Sequence, residues 1–274
     1  MSLSGKTLFI TGASRGIGRE IALRAALDGA NVVIASKSAE AHPKLPGTIF
    51  SVAEEVEAAG GRALPLQLDV RDETAVGAAM DRAAEHFGGI DALVNNAGAI
   101  RLMGVEHLVP KRFDLMYQIN TRAVMVCSQA ALPYLKRSGG GHILNLSPPL
   151  SLSSRWFAQH APYTVTKYGM SMLTLGMSDE FEKYGISVNS LWPKTIIATA
   201  AIEFELGGRQ AFKRARTPAI MADAAHAILS SSNRHVTGRL LIDEELLAEQ
   251  GQTEFGQYRY DPQGGPLTPD LFVD

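Results

Sequence analysis

Thr11-Gly12-Ala13-Ser14-Arg15-Gly16-Ile17-Gly18 follows the apolar run Thr7-Leu8-Phe9-Ile10 and opens a segment, residues 16–28, with a helical pattern. Strand, glycine turn and helix in that order aim backbone N–H groups at a phosphate. The spacing is Gly-x-x-x-Gly-x-Gly rather than Gly-x-Gly-x-x-Gly. The same glycines also suit a turn that merely ends a strand tightly. The choice between these readings rests on the rest of the chain.

Outward from the turn, short apolar strands alternate with longer amphipathic segments. Ile17, Ile21 and Ala25 form a small-residue face that permits close approach to a sheet. Val32-Val33-Ile34-Ala35 is apolar without alternation, as expected of a strand covered on both faces. Residues 36–47, with two prolines and a glycine, make a long loop, a length often reserved for function. A helix is expected over 48–59. A strand follows over 63–68, with Pro65 placing it at an edge. The pattern continues with a helix over 73–87, a strand over 90–94, a long helix within 109–136 that Pro133 should kink, and a fifth strand over 142–146. Ser147-Pro148-Pro149 stops that strand, since neither proline donates to a ladder. Next come a helix over 163–184, a sixth strand over 187–192, a mixed charged segment, a helix over 219–230 and a seventh strand over 239–242. The tail from about residue 244 is expected to lie over the surface or another subunit. Strands alternating with helices throughout, with no dividing linker or internal repeat, predict one α/β domain over 1–274. Its doubly wound, mostly parallel sheet has about seven strands and helices on both faces.

Composition excludes several classes. A hydrophobic share of 46% and a net charge of −2 fit an ordinary soluble globule and give no footprint for nucleic acid or an anionic membrane. No stretch reaches the ~20 apolar residues of a membrane span. The single cysteine, Cys127, forbids an intrachain disulfide; its apolar run reads as a packed core thiol, and a cytoplasmic location is expected. The first residues lack a signal-peptide core and the last are no retention or peroxisomal tag. No metal is called for.

In such a fold, ligands bind at the carboxyl ends of the strands. Those ends are Thr11, Ser36, Asp69, Asn95, Ser147 and Trp192, nearly all polar. After the second strand come Ser36, Lys37 and Ser38, with no acid before Glu40. An acid there would favour a ribose 2′-hydroxyl, a base a 2′-phosphate. Lys37 and Arg15 therefore predict NADP(H) over NAD(H), unless both are solvated surface charges. Asp69-Val70 falls where an adenine would lie, or is a plain turn. Asn96 and Gly98, in Asn95-Asn96-Ala97-Gly98, offer an amide and room for close approach, or ordinary turn chemistry. Tyr163 and Lys167, at i and i+4, share one helix face. A phenol of pKa ~10 is about 0.1% ionised at pH 7. A positive charge at ~5 Å with an effective dielectric of ~20 stabilises the phenolate by about 3 kcal/mol, roughly two pKa units. The pair can then act as general base or acid on an alcohol or carbonyl. Tyr-x-x-x-Lys alone is common; its place at the carboxyl edge raises its weight.

Together, Thr11-Gly12-x-x-x-Gly16-x-Gly18, Asp69, Asn95-Asn96-Ala97-Gly98, Asn120 and Tyr163-x-x-x-Lys167, in order and over essentially the whole chain, resemble the short-chain dehydrogenase/reductase family. The resemblance implies a Rossmann fold and a nicotinamide-dependent oxidoreductase, usually a homodimer or homotetramer. It implies that Tyr163 is the proton donor and acceptor and that Lys167 holds the nicotinamide ribose and lowers the tyrosine pKa. Asn120 would support a water relay to Lys167. Gly12, Ser14, Arg15, Gly16, Ile17 and Gly18 would cradle the pyrophosphate region, with Lys37 at the 2′-phosphate, Asp69 and Val70 at the adenine, and Thr195 at the carboxamide. Two departures stand out. The slot of the family's substrate-holding serine falls on Pro148, leaving Ser147, which we favour, or Ser151. The usual Pro-Gly after the sixth strand is Pro193-Lys194, so Lys194 covers cofactor, meets an acidic substrate or is solvated. His160 is a second proton handler or loop packing. Residues 151–157 and 196–218 should line the cleft; Trp156, Phe157, Ile202, Phe204 and Leu206 suit a lipid-like, terpenoid or steroid-like carbonyl or alcohol, or else serve as core. A rival reading is an NADP(H)-binding lipid-binding or scaffold module with little turnover, which the displaced serine favours.

Overall fold

A computed structural model describes residues 2–43, 45–231 and 236–273. Seven parallel strands form one sheet in the order β3-β2-β1-β4-β5-β6-β7. They are β1 (Thr7–Thr11), β2 (Asn31–Ser36), β3 (Arg62–Gln67), β4 (Ala92–Asn95), β5 (His142–Asn145), β6 (Ser187–Trp192) and β7 (Leu240–Ile242). The order reverses between β1 and β4, and a crevice opens there at the strands' carboxyl ends. Pro65 sits on the edge strand β3, as expected of a residue that cannot donate.

Alternation sorts the strand side chains onto two faces. Leu8, Ile10, Val32 and Ile34 pack with α1 (Gly16–Ala26), α2 (Ile49–Ala58), α8 (Ala219–Leu229) and α9 (Asp243–Glu249). Phe9, Val33, Leu93 and Ile143 pack with α3 (Glu73–Phe87), α5 (Ala123–Arg137) and α6 (Ala161–Glu182). Strands β1 and β2, covered on both faces, are buried nearly throughout and read as continuous apolar runs. Cys127 lies fully buried in the second layer, and burial pushes its thiol up to about 12, so it is a packing residue.

Local chemistry sets the helix starts. Thr48 caps α2 through a box in which Thr48 Oγ1 accepts from Ser51 N (3.1 Å) and Ser51 Oγ from Thr48 N (2.9 Å). Asp72 caps α3 by accepting from Ala75 N at 3.0 Å.

Three expectations change. The helix expected within 109–136 runs unbroken through α4 (Pro110–Tyr117) and α5, with Pro133 inside α5, but widens to a π-type turn at Gln118–Arg122 that the sequence pattern does not announce. The side chain of Asn120 is tied off there by bonds to other elements. The tail does not simply lie over the surface: α9 packs on the core, and Phe272 returns to full burial. The mixed segment resolves into α7 (Ala200–Glu205) and a 3₁₀ turn, Gly208–Arg214. Among the described residues, no helix is long and apolar enough to cross a membrane.

Candidate active site

A cavity of about 860 Å³ runs along the carboxyl ends of the strands, from the β1–α1 turn to the start of α6. That is large for one small ligand and suits a dinucleotide beside a substrate.

Gly12 and Gly16 hold φ of +67° and +57°, a region glycine enters without penalty. The turn is braced from beneath by the β4–α4 loop. Asn96 Nδ2 donates to Thr11 O (2.9 Å) and Gly12 O (3.1 Å), while Thr11 Oγ1 accepts from the backbone N–H groups of Asn96 and Ala97 at 3.1 Å. Gly18 matters for the same contact, since a Cβ there would strike Asn96 Nδ2 and lie 2.9 Å from Gly12 O. Gly18→Ala should therefore displace Asn96 and strip two carbonyls of their donor, at a cost of about 1–3 kcal/mol. A thermal melt showing a fall of several degrees is expected; an unchanged melt would refute the brace.

Arg15 is not a solvated charge. Its Nε donates to Pro46 O (3.1 Å) and its Nη2 to Gly47 O (3.0 Å) and Ser38 Oγ (3.1 Å), so it pins the long β2–α2 loop to the glycine turn. The Ser14 and Ser36 hydroxyls lie 3.1 Å apart across the same seam. Lys37, more than half exposed, pairs with Asp69 at 3.2 Å. Asp69 also receives a forked contact from Arg71, which with Lys37 holds its carboxyl well below the usual range. Arg15, Lys37, Asp69 and Val70 all line the cavity, as do Gly12, Ser14, Gly16, Ile17, Asn96, Gly98 and Asn120.

At the other end, Tyr163 and Lys167 of α6 line the cavity with Leu146, Trp192 and Asp270. Tyr163 Oη has no hydrogen bond among the described residues. Lys167 Nζ donates to Leu146 O at 2.5 Å and sits 4.9 Å from the Trp192 ring centroid. Burial pulls its ammonium down to about 7, against the opposing pull of Asp270. The expected lowering of Tyr163 by Lys167 is not found here. Burial, and then the Asp270 carboxylate, push the phenol up instead. Asn120, fully buried, accepts from Ala99 N (2.8 Å) and donates to Ala99 O and Thr166 Oγ1 (2.9 Å each), locking the wide turn to α6 beside Lys167.

Several candidates stand elsewhere. Ser147, two residues past the end of β5, is fully buried, outside the cavity lining, with its hydroxyl unpartnered among the described residues. Ser151 exchanges backbone hydrogen bonds with Tyr168 Oη. Pro148, in the serine slot, offers its carbonyl to Ser171 Oγ at 2.6 Å. Thr195 is buried in a bridge to Pro269, its hydroxyl also unpartnered, while Thr199 lines the cavity. Lys194 lies outside the cavity lining, partly exposed, with its Nζ paired to Glu244 at 2.7 Å. His160 is loop packing: Nδ1 lies 3.1 Å from Thr164 Oγ1, and burial lowers its pKa. Ile202 and Leu206 line the cleft, but Trp156 and Phe157 pack behind it and Phe204 is exposed; Phe212, Tyr260 and Leu271 provide its apolar wall.

A family profile described as short chain dehydrogenase matches residues 6–205. The chain belongs to the short-chain dehydrogenase family. It is 58% identical over 272 residues to hydroxysteroid dehydrogenase-like protein 2 of Xenopus tropicalis, covering 99% of this chain and 64% of that protein. The chain thus spans less than two thirds of that relative's length. A crystal structure of a putative dehydrogenase from Xanthomonas campestris superposes with a TM-score of 0.96 at 54% identity, covering 100% of both chains. A 7α-hydroxysteroid dehydrogenase complexed with NADH and 7-oxo glycochenodeoxycholic acid superposes with a TM-score of 0.76 at 28% identity, covering 88% of this chain and 93% of that one.

Short-chain dehydrogenases use nicotinamide cofactors. This chain's residues fit one. Two left-handed glycines open the turn, the cavity continues past Lys37 and Asp69, and its far end carries a phenol without an internal partner. Sequence reasoning missed Asp270, Thr199, Phe212 and Tyr260, which reach the cavity through docking of the second half of the chain; no periodicity or motif spacing singles them out.

Proposed function

We propose that the chain is an NADP(H)-dependent oxidoreductase acting on a carbonyl or secondary alcohol of an apolar substrate. One observation carries the reading: Tyr163 and Lys167 share a single cavity with the glycine turn and Lys37. The bound cofactor would supply or accept the hydride. Lys37 and the pinned turn would hold the phosphorylated end, with Asp69 and Val70 beside the adenine. Lys167 would exchange its bond to Leu146 O for the ribose, and Tyr163 would give its proton to, or take one from, the substrate oxygen. The apolar wall of Ile202, Leu206, Phe212 and Tyr260 favours a lipid-like, terpenoid or steroid-like body. Titration with NADPH and NADH, followed by turnover on long-chain and cyclic ketones, tests this. Tighter NADH binding would defeat the cofactor preference; NADPH binding without turnover would defeat the activity.

That second outcome defines the rival, an NADP(H)-binding lipid-binding or scaffold module. The observation favouring it is that neither Ser147 nor Ser151 reaches the cavity. The buried free thiol is compatible with the cytoplasm as its compartment.

We also expect a homodimer or homotetramer. Val165, Met172 and Leu175 are exposed along one face of α6, and Met125 is exposed on α5. Met172→Glu should convert the assembly to smaller species in sedimentation. A wild type already monomeric, or an unshifted variant, would contradict this.

A further inference from the structure

The last segment of the chain enters the active cleft, and nothing in the family pattern read above uses it. Residues 268–272 are stitched to the stretch after β6. Ile196 N donates to Thr268 O (3.0 Å), Asp270 N to Lys194 O (3.1 Å) and Trp192 Nε1 to Leu271 O (2.8 Å). Phe272 anchors the segment in an aromatic nest, its ring centroid 5.3 Å from that of Tyr168, 5.7 Å from Trp156, 5.8 Å from Trp192 and 6.2 Å from Tyr163. It does so at φ +69°, a costly conformation for a bulky residue that persists only when the surroundings enforce it. This anchoring places Asp270 in the cavity lining with Tyr163 and Lys167. One carboxyl oxygen, Oδ1, accepts from Leu271 N at 2.7 Å; Oδ2 has no hydrogen bond among the described residues.

We propose that Asp270 is a catalytic residue that holds the substrate's reacting oxygen together with Tyr163. This rests on the oxidoreductase reading above. Neither candidate serine, Ser147 or Ser151, lines the cavity, and Pro148 in the serine slot has no donor, so Asp270 offers the oxygen-holding group at this end. In the direction of reduction, the carbonyl π bond breaks as a hydride from reduced nicotinamide reaches carbon. The oxygen takes its proton from Tyr163, and Asp270, protonated, donates a hydrogen bond to that oxygen and keeps its proton. Burial, and the nearby Asp243 carboxylate, push Asp270 up to about 7, with Lys167 opposing. The shift favours the protonated, hydrogen-bond-donating form relative to an ordinary carboxylate, and that form is lost as pH rises. The charged groups facing Asp270 are Tyr163 and Lys167 on α6 and Asp243 at the start of α9. Lys194 and Arg216 beyond them are both paired with Glu244.

The test compares Asp270→Ala and Asp270→Asn with wild type, using NADPH with a decalone and a long-chain methyl ketone, alongside NADPH affinity, melting temperature and Tyr163→Phe. Asp270→Ala should lower kcat/KM for reduction at least tenfold while NADPH affinity stays within twofold. Asp270→Asn, whose amide donates at every pH, should recover most of that rate and flatten the part of the alkaline fall that Asp270 causes, leaving the part due to Lys167. The proposal is overturned if Asp270→Ala keeps its rate, if Asp270→Asn is no better than Asp270→Ala, or if Asp270→Ala loses NADPH affinity and melts early, which marks a structural strap. If wild type reduces neither ketone, or Tyr163→Phe keeps its rate, the oxidoreductase reading itself falls and the assignment of Asp270 with it.

Discussion

Tyr163→Phe is expected to lower kcat by about 10²–10⁴-fold while leaving NADPH affinity within twofold, because it removes one proton and changes little else. The ring keeps its packing against Phe272, so the fold should persist. The phenol has no internal hydrogen bond to lose, which makes this substitution cleaner than most at a buried tyrosine. The rate of wild type should also respond to what bound ligand does to the charges around it. Without ligand, burial and Asp270 hold the phenol above its ordinary value, and Lys167 is turned to Leu146 O. Oxidation of an alcohol needs the phenolate, so positive charge must arrive with the cofactor or from a reoriented Lys167. Stopped-flow rates with a shared ketone would separate proton transfer from release. A Tyr163→Phe rate within threefold of wild type would remove Tyr163 from the chemistry.

Lys37→Glu should weaken NADPH at least about 100-fold and leave NADH within about threefold. A charged hydrogen bond is worth about 1.5–3 kcal/mol, or about 10–150-fold, and the substituted carboxylate adds repulsion of the 2′-phosphate. Lys37 is well exposed, so the attractive part belongs near the lower end of that range. Asp69 would lose one partner but keep its fork to Arg71. Equal loss for both cofactors would mean a disturbed loop; no loss for NADPH would mean that Lys37 stays in solvent. Arg15 plays a different part from the one its sequence position implies. Pinning Ser38, Pro46 and Gly47 to the glycine turn, it shapes the wall from which Lys37 extends.

What the sequence made legible is what local chemistry controls. The glycine turn, the two-sided central strands and the i, i+4 pair are short-range patterns, and all lie where their spacing placed them. The parallel, doubly wound sheet followed from uninterrupted strand–helix alternation, while its strand order did not. The errors have two physical sources. One is loop geometry just past the strands: Leu146 and Thr199 line the cavity while Ser147 and Thr195 do not. No motif spacing resolves that when the following loop has changed length. The other is long-range docking. Asp270 and Phe272 lie more than a hundred residues from Tyr163, and neither periodicity nor a motif announces that the segment folds back. For Trp156 and Phe157 the core alternative left open by the sequence is the one found. Trp156 and Phe157 support Phe272 from behind, while Phe212 and Tyr260 face the cleft.

The central claim is that this cleft passes a hydride to a substrate whose oxygen Tyr163 protonates. Reduced NADP carrying deuterium at the transferable position tests it most directly. Incubated with the chain and a mixture of cyclic and long-chain ketones, it should yield alcohols labelled at the carbinol carbon, and the label should fall by at least about tenfold with Tyr163→Phe. Tight cofactor binding with no label in any product would contradict the account and leave the binding-module reading in its place.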